Sequence, residues 1–76
     1  MNNLRDEIYL KQFGKNLKKI RLSKSFTQEE LSLSSDVSLA QITRIERGIV
    51  NPTVCTIKSL ANGLQIPPHE LLKFDE

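Results

Sequence analysis

The side chains best suited to specific recognition lie in one short segment, residues 38–44. Val37, Ile42 and Ile45 are spaced so that they would occupy the inner side of a helix, and the positions between them then face outward. These outward residues are Ser38, Leu39, Ala40, Thr43 and Arg44. A guanidinium can donate hydrogen bonds to both O6 and N7 of guanine, and apolar groups can contact the thymine methyl. The segment therefore indicates contact with DNA bases, with phosphate binding as the alternative role for Arg44 and a hydroxyl hydrogen bond as the alternative for Thr43.

Catalytic and metal-binding chemistry is not expected from the remaining residues. His69 and Cys55 are the single histidine and cysteine, and no paired carboxylates complete a catalytic set. Cys55 cannot form an internal disulfide, which fits a reducing cytoplasm, and a redox-sensing role is the alternative to that of a small apolar residue. No stretch approaches the roughly 20 apolar residues of a membrane span, and no secretory signal is visible. We expect a cytoplasmic protein that is not an enzyme and has no metal, cofactor, small-molecule ligand or membrane partner.

Two short helices joined by a tight turn must position the outward residues. Thr27 with Glu30 has the spacing of a capping box, and so has Ser38 with Gln41. These signals predict helices over about 28–34 and 39–47, the second ended by Gly48. A short helix exposed on a rigid support suits entry into the DNA major groove, which is about 12 Å wide.

The rest of the chain has the spacing of further helices and no sustained strand pattern. Apolar residues at steps of three and four predict a first helix over about 7–23, and Thr53 is the expected cap of a fourth helix. Pro68 suits the first position of a fifth helix. The chain of 76 residues is predicted to form one all-α domain over 1–76, with a core over about 8–74 and the two central helices over about 27–47.

The net charge is only +2, so the distribution of charge matters more than its sum. Five basic residues occur within residues 15–24, a segment that contains no acidic residue. This pattern fits either a solvated helix face or a surface that attracts nucleic acid.

The segment TQEELSLSSDVSLAQITRIERG, followed by NPT and LLK, resembles the lambda-repressor-like, Xre-type helix-turn-helix family. That family includes phage repressors, Cro proteins and restriction–modification controllers, and the likeness covers about residues 13–72. The resemblance implies a compact five-helix domain that regulates transcription, with recognition helix 39–47 in the major groove of a palindromic operator. The rival interpretation is an antitoxin-type module that chiefly binds a toxin protein.

The resemblance also implies roles for individual residues outside the recognition helix. Gln28 would contact phosphate or the recognition helix, and Arg21 with Glu46 would form a partly buried salt bridge. Expected contacts with the DNA backbone come from Gln28, Arg47, Asn51, Lys15 and Lys19. Arg47 has an alternative role, which is to complement the negative end of its own helix. Because the recognition helix offers few polar groups, DNA shape is expected to add to specificity.

A homodimer is expected, because one short helix contacts few bases. Its interface is predicted at the C-terminal residues Ile66, Leu71, Leu72 and Phe74, the alternative being that Leu71 closes the core and Phe74 is a loose tail. The chain departs from the family pattern at two turns, where Ser25 and Asp36 replace common glycines. It also has Gly63 where a helix former is usual and Pro67 in place of a common cap, so the end of the fourth helix is expected to be weak.

Overall fold

The computed structural model describes residues 4–74, with side chains described from residue 6 onward. Four α-helices follow one another along the chain: α1 (Leu4–Ser23), α2 (Gln28–Ser35), α3 (Leu39–Glu46) and α4 (Val54–Leu64). A 3-10 helix, Pro68–Leu72, ends the described part of the chain, and no strand occurs within residues 4–74. The predicted all-α class is confirmed. The ends of the predicted domain, residues 1–3 and 75–76, lie outside the described residues.

The helix boundaries follow the capping signals closely. α2 and α3 each differ from their predicted spans by a single residue, and α1 starts three residues earlier than predicted, with Asp6 and Glu7 in its first turn. Negative charge near a helix N-terminus is favourable, which accounts for the longer α1. The fifth element is a 3-10 helix of five residues. Its bonds span three residues, from Glu70 N to Pro67 O, and the adjacent Pro67 and Pro68 restrict the backbone where it starts.

The helices enclose one apolar core to which every element contributes. α1 supplies Phe13 and Leu17, and the 3-10 helix supplies Leu71. Val37 and the inner sides of α2, α3 and α4 complete it with Leu31, Ile42, Ile45, Leu60, Ala61 and Leu64. The inward positions predicted at Val37, Ile42 and Ile45 are thus buried, and Ile57 of α4 is half-buried against this core.

The turn between α2 and α3 depends on a left-handed residue. Asp36 has φ 61° and donates its backbone N–H to Ser32 O, and the Ser32 hydroxyl donates to Val37 O at 2.6 Å. Aspartate tolerates this conformation better than most residues. Ser25 takes the same conformation after α1, with φ 62°. Both positions where the family favours glycine therefore adopt the left-handed geometry with a polar residue.

Gly63 is the point of closest approach between α2 and α4. A Cβ built on Gly63 would lie 2.7 Å from the Cβ and 2.8 Å from the Cα of Ser35, a separation that folded proteins do not tolerate. α4 nevertheless runs through this glycine to Leu64, so the expectation of a weak helix end was wrong. The lost helix propensity is offset by packing that a larger residue would prevent.

We expect Gly63→Ala to destabilise the protein by about 1–3 kcal/mol, although alanine is the better helix former. The added methyl group would push α4 away from the backbone of Ser35. Urea unfolding monitored by circular dichroism measures the change. Asn62→Ala, at the neighbouring exposed position of α4, is the matched control and should lose little or no stability. A Gly63→Ala variant as stable as the control would contradict this account of the packing.

Candidate nucleic-acid interface

The start of α3 is fixed by a side-chain cap. Ser38 has extended backbone angles, and its hydroxyl oxygen accepts a hydrogen bond from Gln41 N at 3.1 Å. The reciprocal bond, from the Ser38 backbone N–H to the Gln41 side-chain oxygen, is not formed in the described structure, so the predicted second capping box is only half present. Thr27 and Glu30 form the complete box at the start of α2, with bonds of 3.0 and 2.8 Å. Both caps fix where a helix begins, and hence which side of α3 faces solvent.

The outward residues of α3 are accessible, as their spacing predicts. Leu39 is 39% exposed, Ala40 and Arg44 are exposed, and Thr43 is half-buried. We call Ser38, Leu39, Ala40, Thr43 and Arg44 the outer face of α3. It presents one cationic donor beside three side chains that carry apolar groups, a combination suited to base edges in the major groove.

A buried ion pair attaches the end of α3 to α1. Arg21 Nε lies 2.7 Å from Glu46 Oε2, and a second guanidinium nitrogen donates to Glu46 Oε1 at 3.0 Å. The Arg21 and Glu46 side chains are only 7% and 4% exposed, respectively. Arg21 also donates to Phe26 O at 2.8 Å, which ties the α1–α2 connection to the same point. The hydrogen bond with Glu46 raises the pKa of Arg21; burial opposes this effect, and the charges of Glu46 and Glu29 add to it.

Gln28 extends this pair into a network that reaches the middle of α3. Its amide nitrogen donates to Glu46 Oε1 at 3.0 Å, and its amide oxygen accepts from the Thr43 hydroxyl at 3.3 Å. The Thr43 hydroxyl also lies 2.9 Å from Leu39 O, one helical turn earlier. Of the two expected contacts for Gln28, the structure contains the one with the recognition helix, and the one with phosphate stays a prediction.

Arg47 and Asn51 border the loop that follows α3. Arg47 is the C-terminal cap residue of α3, and both side chains are exposed. Gly48 has φ 77° and turns the chain into this loop. Its neighbour across the fold is Lys11, whose Cγ lies 2.6 Å from where a Gly48 Cβ would be. The proximity of Lys11 to the loop cannot be read from the sequence, because only the crossing of α1 and α3 creates it.

Lys15 and Lys19 lie elsewhere. They line an open groove of about 520 Å³ together with α1 residues Gln12 and Asn16 and the C-terminal residues Lys73 and Phe74. No residue of α2 or α3 borders this groove. The structure therefore does not bring the two lysines together with the outer face of α3, and we leave them out of the proposed interface.

The predicted dimer residues divide into buried and accessible ones. Leu71 is 0% exposed within the protomer, so it closes the core and cannot contact a second chain; its assignment to the interface was wrong. Ile66 and Phe74 pack partly against the core, and Phe74 meets the Tyr9 ring at 5.1 Å between centroids, so it is not a loose tail. Leu72 is 45% exposed and offers apolar surface to a partner.

Asn16 is a structural residue that no pattern in the sequence singles out. Its side-chain nitrogen donates to Glu70 O at 3.1 Å and to Leu71 O at 3.0 Å, although the residue is nearly fully buried. These two bonds fasten the 3-10 helix to α1. From the sequence, a polar residue among the basic positions of α1 is expected to be exposed to solvent. In the structure, the C-terminal chain packs on it.

The remaining candidate residues show no arrangement for catalysis or metal binding. No group of histidine, cysteine and carboxylate side chains within the described residues could hold a metal ion. Cys55 is an exposed free thiol in the first turn of α4, and His69 Nε2 lies 3.4 Å from the Glu70 carboxylate. None of the described helices is long and apolar enough to cross a membrane.

Comparisons with known proteins agree with this geometry. The profile of the family described as helix-turn-helix matches residues 17–71. Control protein C.BamHI from Bacillus amyloliquefaciens is 38% identical over 63 residues, which are 82% of this chain and 78% of that protein. The transcriptional repressor RghR from Bacillus subtilis is 39% identical over 83% of this chain and 47% of its own length. The crystal structure of the restriction-modification controller protein C.AhdI from Aeromonas hydrophila superposes with a TM-score of 0.79 at 35% identity, covering 82% of this chain and 94% of that one.

We expect Glu46→Gln to cost about 3–5 kcal/mol, the range seen when one partner of a buried ion pair is removed. The loss follows because the Arg21 guanidinium would stay buried without a compensating charge. Chemical denaturation measures it, with Glu7→Gln, an exposed position on α1, as the matched control. The double variant Arg21→Met/Glu46→Gln should recover part of the loss. A Glu46→Gln variant no less stable than the Glu7→Gln control would show that the pair does not hold α3 in place.

Proposed function

The chain belongs to the helix-turn-helix family, in its Xre/Cro-like form, and is a DNA-binding transcription regulator; we propose that it places α3 in the major groove of a palindromic operator and binds there as a homodimer. The observation that carries this proposal is the contrast between the two sides of α3. Ile42 and Ile45 are buried in the core, whereas Leu39, Ala40 and Arg44 face solvent. A helix whose inner side is fully used for folding has its outer face available for recognition.

We assign base contacts to the outer face of α3 and phosphate contacts to its borders. Arg44 would donate to guanine, the commonest specific contact of arginine in the major groove. Arg47 and Asn51, exposed on the loop after α3, would bind the sugar–phosphate backbone of one strand. Gln28 stands at the N-terminus of α2, whose free backbone N–H groups favour a phosphate. These contacts on both sides would fix the register of the helix in the groove.

A dimer is part of the proposal because α3 is short. Its eight residues span only about 12 Å, which covers few base pairs. Two copies related by a twofold axis would read half-sites about 34 Å apart on a palindrome. Leu72, with the accessible parts of Ile66 and Phe74, supplies the apolar surface for an interface in which both protomers use the same residues.

The similarity to the C.BamHI and C.AhdI controller proteins supports a role as an autoregulatory restriction–modification controller, and the similarity to RghR supports repression. The antitoxin alternative is not favoured, because these relatives are named as transcription regulators or controllers. We propose that the protein acts in the cytoplasm and without enzyme activity, as expected for a regulator of this family.

Selection of bound sequences from random duplex DNA should enrich a palindrome. We expect Arg44→Ala to weaken binding of that palindrome by about 1–3 kcal/mol and to relax preference at one base pair per half-site. Arg47→Ala, the matched arginine, should weaken selected and scrambled duplexes alike and make binding less salt-dependent. Titration at two salt concentrations separates the two effects. Equal, salt-sensitive binding of selected and scrambled DNA would contradict sequence-specific recognition.

Leu72→Asp should shift the protein from dimer to monomer, because it places a charge at the centre of the proposed apolar interface. Sedimentation equilibrium measures the mass in solution. Leu33→Asp is the matched control, since Leu33 is 86% exposed on α2 and outside this interface. A Leu72→Asp variant with the mass of the wild-type dimer, or a wild type that is monomeric throughout, would contradict the proposed dimer.

A further inference from the structure

The structure fixes which chemical groups the outer face of α3 can offer to a base. Resting on the proposed function, we infer that this face reads the C5-methyl groups of pyrimidines, and that Thr43 reads through its methyl group rather than its hydroxyl. In unmodified DNA that group belongs to thymine, and 5-methylcytosine carries it at the same ring position. A hydrogen-bond network runs from Arg21 through Glu46 and Gln28 to Thr43.

The orientation of the Gln28 amide is determined by its contact with Glu46. Glu46 Oε1, which is already paired with Arg21, lies 3.0 Å from the nearer end of this amide. An ionised carboxylate only accepts hydrogen bonds, so the Gln28 end that faces it must be the NH2 group. The amide oxygen, an acceptor, is therefore the atom turned toward Thr43.

The hydroxyl proton of Thr43 is directed toward an acceptor inside the protein. The hydroxyl of Thr43 has two protein neighbours within hydrogen-bond distance, Gln28 Oε1 at 3.3 Å and Leu39 O at 2.9 Å. Both are acceptors, and a hydroxyl has one proton to give. Whichever oxygen receives it, the proton is used inside the protein. Thr43 can then donate to a base only by giving up an internal bond. Because thymine presents only the O4 acceptor and the C5-methyl in the major groove, the methyl group is the part of Thr43 suited to contact it.

The methyl group of Thr43 lies beside other apolar groups on the same side of α3. Thr43 follows Leu39 by four residues and Ala40 by three, so the three side chains share one side of α3. Leu39 and Ala40 are exposed and carry no polar side-chain atom. Polar base edges gain nothing from such a patch, whereas the C5-methyl of thymine is the apolar group that the major groove presents. Arg44 adds the cationic donor of the outer face, which would bind guanine beside the pyrimidine positions.

The test uses the palindrome recovered by selection and changes one pyrimidine position per half-site at a time. Four duplexes carry thymine, uracil, cytosine or 5-methylcytosine there, each with its complementary base, and dissociation constants are measured by fluorescence anisotropy at one salt concentration. At the contacted positions, uracil should bind about fourfold more weakly than thymine for each buried methyl group, equivalent to about 0.8 kcal/mol. 5-Methylcytosine should exceed cytosine by a similar factor. Thymine replaced by uracil outside the selected palindrome is the control and should change nothing.

Two variants of Thr43 separate its methyl group from its hydroxyl. Thr43→Val keeps the methyl and loses the hydroxyl, so it should retain the thymine-to-uracil ratio. Thr43→Ser keeps the hydroxyl and its internal bonds but loses the methyl, so the ratio should fall to about one at one position. Leu39→Ala should remove the ratio at a neighbouring position and leave the Thr43 position unchanged. Thermal melting confirms that each variant is folded before its DNA binding is compared.

Each contrary result has a distinct meaning. Specific binding of the palindrome with equal affinity for thymine and uracil at every position would overturn this inference and leave the proposed function standing. An unchanged thymine-to-uracil ratio at every position in Thr43→Ser would show that the methyl group of Thr43 does not read a base, and would overturn that part of the inference. Failure of the wild type to prefer the palindrome over scrambled DNA would overturn the proposed function and this inference with it.

Discussion

The buried ion pair between Arg21 and Glu46 is the constraint on which the arrangement of the helices depends. It joins α1 to the last residue of α3, and through Phe26 O it also fixes the connection between α1 and α2. Taking two charges out of water is costly, so such a pair stabilises only the geometry in which its hydrogen bonds are all made. Here that geometry is the one in which α3 has a single position against α1 and α2. The position of the outer face of α3 is therefore held by an interaction at the C-terminal end of the same helix, which reaches Thr43 through Gln28.

Close backbone contact supplies the rest of the rigidity in a domain with a small core. Gly14 lets α1 approach the last turn of α3, where a Cβ would lie 2.7 Å from Glu46 O. Gly63 does the same for α4 against α2, and Asn16 adds two hydrogen bonds to the 3-10 helix at the C-terminal end. A domain of this size buries a modest share of its surface, so specific contacts of this kind carry more of its stability than in a larger protein.

Local signals in the sequence were enough to predict the helices, and they were insufficient where two distant segments meet. Thr27 and Ser38 mark helix starts because capping depends on neighbours three residues away, and the apolar spacing of α3 gave its inner and outer sides correctly. Leu71 illustrates the limit of such local signals. The sequence does not distinguish an apolar residue that is buried in the core from one that contacts a second chain. The same limit applies to Lys15 and Lys19. Their charge can be read from the sequence, but the part of the chain that they lie beside cannot. Gly63 was misjudged for the same reason: its value lies in the approach of Ser35, which is 28 positions away.

The division of α3 into an anchored side and an outer face has a consequence for how such a protein changes over generations. Leu39, Ala40 and Arg44 are exposed and lie outside the apolar core, so we expect mutations there to redirect the protein to a new operator without unfolding it. Thr43 is different, because its hydroxyl belongs to the network that positions the helix. The fold therefore constrains Leu39, Ala40 and Arg44 least, whereas a substitution that removes the Thr43 hydroxyl also removes its hydrogen bonds inside the protein. Duplicated copies could in this way acquire separate operators within one cell while keeping a common scaffold.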